Sequence, residues 1–204
     1  AYRFVQTYRD INETDSIKVF SLEPHSFYNR VLLPEYVSEH MSWAQLQKLK
    51  AGELDKLNID LIPEMGIKEM DRENKTVTDQ QGNQYPYDRL VLAMGSRPFI
   101  PRDVAIQMNG VFTIRHRKDA DQLKNYLNNT GLLPTEQQIT IVGGGLLGLE
   151  IAAALKKMGI NITLIQRASR LMERQLDTVA SKLLAEDVSE RDIPIFFDNE
   201  VSTI

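Results

Sequence analysis

The run Gly143-Gly144-Gly145-Leu146-Leu147-Gly148 places glycines at the spacing G-x-G-x-x-G. In a strand-to-helix turn each of the three has a physical task. Gly143 allows the tight turn, Gly145 lets backbone approach a pyrophosphate with no Cβ in the way, and Gly148 lets the helix pack close to the strand. The N–H groups of the first helical turn, Leu146 and Leu147 among them, then face the phosphates with the positive end of the helix dipole behind them. Glu150 follows half a turn later, on the ligand side of the helix. The next strand ends at Gln166, followed by Arg167 and Arg170. An acid at that strand end binds an adenosine 2′-hydroxyl and repels a 2′-phosphate. The neutral glutamine removes that repulsion, and one or both arginines carry a fork suited to phosphate, so NADPH is expected to be accepted; the alternative is that Gln166 bonds the ribose diol with both arginines at the surface, which leaves NADH competent too.

The spacing alone is weak evidence, so the elements around it decide. Ile139 to Val142 (ITIV) predicts a strand directly before the turn. Leu146 to Met158 predicts a helix stopped by Gly159, and Ile162 to Ile165 (ITLI) a second strand. This is a βαβ unit, with the second strand ending about twenty residues past the motif as a dinucleotide site requires. A helix over Thr178 to Glu190 and a strand over Ile193 to Phe197 continue the alternation, and Asp119 to Leu127 predicts a helix before it. Upstream, Ala1 to Arg9 has helical periodicity, and Ile17 to Leu22 alternates as a strand ending at Glu23. Ser42 predicts an N-cap for a helix running to Lys50, with Gly52 as its stop. Ile59 to Ile62, Gly66 to Met70, Lys75 to Thr78 and the stretch from Gln84 are expected to form a small meander. Leu90 to Ala93, wholly apolar, predicts a parallel strand buried on both faces, and Pro98 and Pro101 then break the chain.

Composition narrows the function classes. The chain has 204 residues, 42% of them hydrophobic, and 24 Lys and Arg against 28 Asp and Glu give a net charge of −4. Nothing there favours nucleic acid or an anionic membrane as a partner. No apolar run reaches the roughly eighteen residues of a membrane span, and no signal peptide is evident, so a cytoplasmic protein is expected. Without cysteine, these residues hold no disulfide, thiol nucleophile or Cys-ligated cluster, and redox chemistry would need a bound cofactor. His25 and His40 lack companions at metal spacing, so no metal site is expected. Arg115, His116, Arg117 and Lys118 read as a solvated approach to a helix, with a phosphate contact as the minority reading. Trp43 reads as packing.

The sequence resembles the pyridine-nucleotide reductases that use both FAD and NAD(P)H. YDRLVLAMGSRP (Tyr87 to Pro98) is similar to the family segment Y-D-x-L-v-x-A-T-G-s-x-P, with Met94 in place of the threonine. FSLEPHSFYNR (Phe20 to Arg30) is similar to the end of the second strand of an FAD domain, and GGGLLGLE to the nucleotide domain. NRVLLPEYVSE and RLMERQLD (Arg170 to Asp177) resemble the large subunit of assimilatory NAD(P)H nitrite reductase and its relatives.

The resemblance implies an α/β fold of Rossmann-like three-layer dinucleotide-binding domains, with a partial FAD domain over 1–113 and an NAD(P)H domain over 114–204. The family's first glycine motif is expected before Ala1, and its FAD-closing segment after Ile204, so these residues alone should hold flavin weakly. Glu23 would accept from the FAD adenosine ribose, Arg30 would sit near the flavin or pyrophosphate, and Ile67 would flank the adenine. Ala93, Met94 and Gly95 would approach FAD through their backbone, and Glu150 would orient the nicotinamide carboxamide. The implied activity is hydride transfer from NAD(P)H to FAD, with electrons passing to a siroheme or iron-sulfur acceptor outside these residues. A ferredoxin or rubredoxin reductase-like enzyme and a non-catalytic NAD(P)H-responsive protein are the alternatives. Disulfide-reducing relatives carry a redox cysteine in the stretch matching Asn29 to Tyr36, so no disulfide relay is expected here.

Overall fold

The computed structural model describes residues 1–49, 52–100 and 108–202. The expected helix end at Lys50 and the break at Pro101 lie outside them. The chain divides into two compact units, each built from two stretches of chain: Ala1–Asn29 with Leu46–Ser96, and Arg30–Gln45 with Arg97–Ile204.

In the first unit, α1 (Tyr2–Arg9) buries Val5. It is tied down by Arg9, whose Nε donates to the Leu57 carbonyl at 2.7 Å and whose Nη2 donates to that of Asn58 at 2.8 Å. Strand β1 (Ile17–Phe20) pairs in parallel with β2 (Ile59–Ile62), from Ile17 opposite Ile59 to Phe20 opposite Ile62. Lys18 and Asp60 form an ion pair across it. The meander contains only β3 (Ile67–Asp71), β4 (Thr76–Asp79) and β5 (Gln84–Pro86), joined antiparallel in that order. Ile59 to Ile62 therefore leaves the expected meander. Its backbone edge is paired by β1, a partner far away in sequence that local alternation cannot reveal.

Two further expectations are corrected. Helix stops after one turn at Trp43–Leu46, instead of continuing from Ser42 to Lys50. Ser42 does not cap it: its backbone N–H and its hydroxyl both donate to Gln45 Oε1, at 2.8 and 3.0 Å. The backbone beyond is drawn into pairing with the 27–29 stretch, where Lys48 N–H donates to the Phe27 carbonyl at 2.9 Å and Asn29 N–H to that of Leu46 at 2.8 Å. Gly52 precedes a short helical turn, Glu53–Lys56, and stops none. Leu90 to Ala93 is irregular, and Val91 and Leu92 are 49% and 62% exposed. An apolar run becomes a buried parallel strand only where a neighbouring strand offers an edge, and no described strand pairs with this one.

The second unit follows the expected alternation closely. A 3-10 turn (Arg30–Leu32) leads into α2 (Leu33–Val37), which packs on α5 (Arg117–Asn128) and α6 (Leu146–Lys157), with α3 and α4 the one-turn helices Trp43–Leu46 and Glu53–Lys56. Helix α5 presents Ala120, Leu123 and Leu127 on one buried face, the i, i+3, i+7 stripe of an amphipathic helix. Strands β6 (Gln138–Val142), β7 (Asn161–Gln166) and β8 (Ile195–Phe197) form a parallel sheet in chain order, connected by α6 and α7 (Thr178–Glu190). Ile162, Leu164 and Gln166 turn to the buried face of β7, with Leu164 fully enclosed. The Asp177 carboxylate caps α7 by accepting Ala180 N–H at 2.8 Å.

Candidate functional site

Strand β6 delivers the chain to Gly143, whose N–H donates to the Ile165 carbonyl at 2.8 Å, so the turn hangs from the neighbouring strand. Gly143 has φ +112°, a conformation that L side chains rarely adopt. A Cβ at Gly148 would lie 1.9 Å from the Gly143 carbonyl oxygen, so only glycine lets α6 approach this closely. A Cβ at Gly145 would meet nothing within 4 Å. That open space lies at the N-terminus of α6, where Gly145 is the N-cap and no side chain bonds the end. The first-turn N–H groups of Leu146, Leu147 and Gly148 therefore point where an anion would be received.

Glu150 is half-buried on the same helix, and its Oε2 is buried with no hydrogen-bond partner. Burial pushes its carboxyl above the ordinary glutamate range. An acceptor removed from water and left unpaired is costly unless something outside the chain completes it. An uncapped helix end, room beside Gly145 and this orphaned oxygen fit a dinucleotide whose phosphates lie on the turn.

Arg30 belongs to the same unit. Its Nη1 donates to His116 Nδ1 at 2.7 Å and to the Arg115 carbonyl at 3.2 Å. It lines a cavity of about 30 Å³ with Arg115, Leu33, Pro34 and Ile114, closed by Leu147 and Ile151 of α6. Arg115, His116 and Arg117 are thus half-buried, which corrects their reading as a solvated approach. Asp119 Oδ2 accepts the N–H groups of Arg115 and His116 at 2.9 and 2.8 Å, and the Arg117 guanidinium stacks over Trp43 at 4.1 Å. Only Lys118 is exposed. The charge run in the sequence concealed this, because Arg30 and Trp43, which meet these groups, come from the distant 30–45 stretch.

At the end of β7, Gln166 is buried to 9% exposure, Arg167 is exposed and Arg170 is half-buried. Arg170 closes the following loop on itself, donating through Nη1 to the Leu176 carbonyl at 3.0 Å and through Nη2 to that of Glu173 at 2.9 Å. The structure therefore separates two arginines that the sequence leaves equivalent. Sequence reasoning also passed over Gly144, the unspaced glycine of the turn, and Leu171. A Cβ on Gly144 would come within 2.4 Å of Leu171 Cδ2. Three consecutive glycines were the available signal, since the motif itself needs only two of them.

The remaining expected residues lie in the first unit. Glu23, just past β1, is half-buried and accepts from the Tyr28 hydroxyl at 2.7 Å. Ile67 opens β3 at 40% exposure. Ala93, Met94 and Gly95 stand in the irregular stretch, with Met94 85% exposed. Among the described residues no group of three or more His, Asp or Glu is placed to hold a metal ion, and no helix is long and apolar enough to cross a membrane.

Comparison with known proteins gives the turn its setting. The family model for pyridine nucleotide-disulphide oxidoreductases matches residues 1–204. The chain is 33% identical over 190 residues to a nitrite reductase [NAD(P)H] of Bacillus subtilis (strain 168), covering 92% of this chain and 23% of the relative. It is 34% identical over 182 residues to the nitrite reductase [NAD(P)H] large subunit of Klebsiella oxytoca, covering 89% of this chain and 18% of that one. It spans about a fifth of the length of these relatives. A crystal structure of the ferredoxin reductase for the CYP199A2 system of Rhodopseudomonas palustris has the same fold, with a TM-score of 0.89 at 21% identity over 100% of this chain and 49% of that one. The chain belongs to the pyridine nucleotide-disulphide oxidoreductase family, oxidoreductases that pair FAD with NAD(P)H.

Proposed function

We propose that this chain is the nucleotide-handling part of a flavoprotein that passes hydride from NAD(P)H to FAD and on to an acceptor, as part of an NAD(P)H nitrite reductase large subunit. The observation that carries the reading is the uncapped N-terminus of α6 above the Gly143–Gly148 turn, with the orphaned Glu150 oxygen half a turn further on. The relatives at 33% and 34% identity favour the nitrite reductase branch.

The turn would bind the pyrophosphate through N–H groups that need no reorganisation. Glu150 would orient the nicotinamide by accepting from its carboxamide, which would also satisfy Oε2. When bound, the flavin supplies hydride acceptance and electron release, singly or in pairs. Glu23, Ile67 and the backbone of Ala93 to Gly95, all in the first unit, would hold it. With no cysteine in these residues, electrons would leave the flavin without a disulfide step, for a siroheme or iron-sulfur acceptor supplied elsewhere.

Arg167, exposed at the strand end, would meet a 2′-phosphate, while Arg170 holds its own loop. In the full-length protein, Arg167→Ala should lower kcat/KM for NADPH by about tenfold and leave NADH nearly unchanged, since a guanidinium–phosphate contact is a strong charge-assisted one. Arg170→Ala should affect both alike. The function itself is tested by colour. A yellow full-length protein bleached by NAD(P)H without oxygen is expected, and a colourless one that still binds nucleotide would overturn the enzyme reading in favour of a nucleotide-responsive binding protein.

A further inference from the structure

Gln166 meets two backbone groups at once. Its Oε1 accepts Gly144 N–H at 2.7 Å, and its Nε2 donates to the Arg170 carbonyl at 3.2 Å. Chemistry fixes the orientation of the amide, because a backbone N–H can only donate and a carbonyl can only accept. Gly144 is gripped from its other side as well, its carbonyl accepting Met172 N–H at 2.9 Å. Leu171, fully buried, accepts the Ser181 hydroxyl through its carbonyl at 2.7 Å. The loop after β7 is thus fastened to the middle of the glycine turn through both polar groups of one residue.

We propose that Gln166 is a positioning residue that sets the pyrophosphate cradle by holding Gly144, and that it does not grip the adenosine ribose. This rests on the reading of the turn as a nucleotide site. The bracket needs an acceptor and a donor on one side chain of this length. A glutamate would still accept from Gly144, but its second oxygen would face the Arg170 carbonyl with no proton between them. An aspartate is one methylene shorter. The neutral residue at this strand end therefore has a structural cause, and tolerance of a 2′-phosphate follows from it. Acting through the pyrophosphate, which NADH and NADPH share, Gln166 is blind to the 2′ position.

The test uses the full-length protein with Gln166→Met, which keeps length and removes both hydrogen bonds. KM for NADH and for NADPH should rise together by about tenfold with their ratio and kcat unchanged, an effect of the size that one or two lost hydrogen bonds produce. Amide exchange at Gly144 and Met172 should quicken in the nucleotide-free protein. Gln166→Glu, read by exchange alone, should keep Gly144 protected while residues 170–177 exchange faster at neutral pH, and this arm stands if the methionine variant fails to fold. A loss confined to one nucleotide, or unchanged exchange at Gly144 in Gln166→Met, would overturn the proposal. Wild-type protein that binds neither nucleotide would sink the reading of the turn and the positioning role with it, while exchange would still show whether the bracket exists.

Discussion

Each unit withdraws a carboxylate from water beside a tight turn, and the two are treated in opposite ways. Asp79, at the end of β4, is fully buried and accepts four hydrogen bonds: from the N–H groups of Gln81 and Asn83 at 2.8 and 2.9 Å, from Asn83 Nδ2 at 2.9 Å and from the Tyr85 hydroxyl at 2.9 Å. Burial pushes its pKa up, but the bonds from Asn83, Tyr85 and Gln81 outweigh burial and hold it below the usual aspartate range. Glu150 keeps one oxygen buried and unpaired, and burial alone raises it. The first carboxylate is satisfied by the protein itself and serves as a structural pin. The second carries an unmet hydrogen bond, a gap of the kind that the proposed ligand would close.

That contrast can be broken by substitution. The largest effect is expected at the ligand turn, where Gly148→Ala would drive a methyl into the Gly143 carbonyl, 1.9 Å from its ideal Cβ. A destabilisation of about 3 kcal/mol in urea unfolding is expected, together with loss of nucleotide affinity. Next, Asp79→Ala would strand four donors, lowering the thermal midpoint by several degrees while leaving nucleotide binding intact. Because the folded pKa of Asp79 is depressed, its contribution is fully present above about pH 4 and is lost as pH falls through the folded value. Acid unfolding of the wild type and of Asp79→Ala should therefore converge, and parallel curves would remove Asp79 as a pin. Gly82, in the Asp79 turn, has φ +91° but nothing within 4 Å of its Cβ position, so Gly82→Ala should cost only about 1 kcal/mol of backbone strain. The smallest effect belongs to Glu150→Gln. A raised folded pKa makes wild-type stability decline as pH rises from about 4.3 toward the folded value, and the variant should lack that decline. A wild type with no such decline would undo the contrast.

The βαβ unit was legible in the sequence because everything that specifies it is local: an apolar strand, a glycine turn, an alanine-rich helix and a second strand within one stretch. The first unit was less so. Ile59 to Ile62 finds its partner at Ile17 to Phe20, and the wholly apolar run at Leu90 to Ala93 meets no described strand at all. Apolar alternation records an appetite for burial and says nothing about which edge answers it. Within the candidate site, the glycine turn and its helix were readable from the motif. The inward turn of Gln166 was not, because it depends on where the Arg170 carbonyl lies, and loop backbone leaves no mark in a list of side chains. The half-buried Arg115 and Arg117 at the start of α5 were hidden for a related reason, since Arg30 and Trp43, which meet them, arise from 30–45.

That last stretch has a consequence for how the molecule is made. Leu33, Tyr36 and Val37 are sheltered within the second unit by helices that begin at Arg117 and Leu146. On a ribosome they emerge well over a hundred residues before α6 is complete. At ordinary elongation rates of about 5 to 20 residues per second, they wait on the order of ten seconds as an exposed apolar tract. The nascent chain passes through a window in which chaperones or aggregation compete for α2, and a gene cut after Ser96 would never close it, since the helices it expresses would lack the segment that covers them.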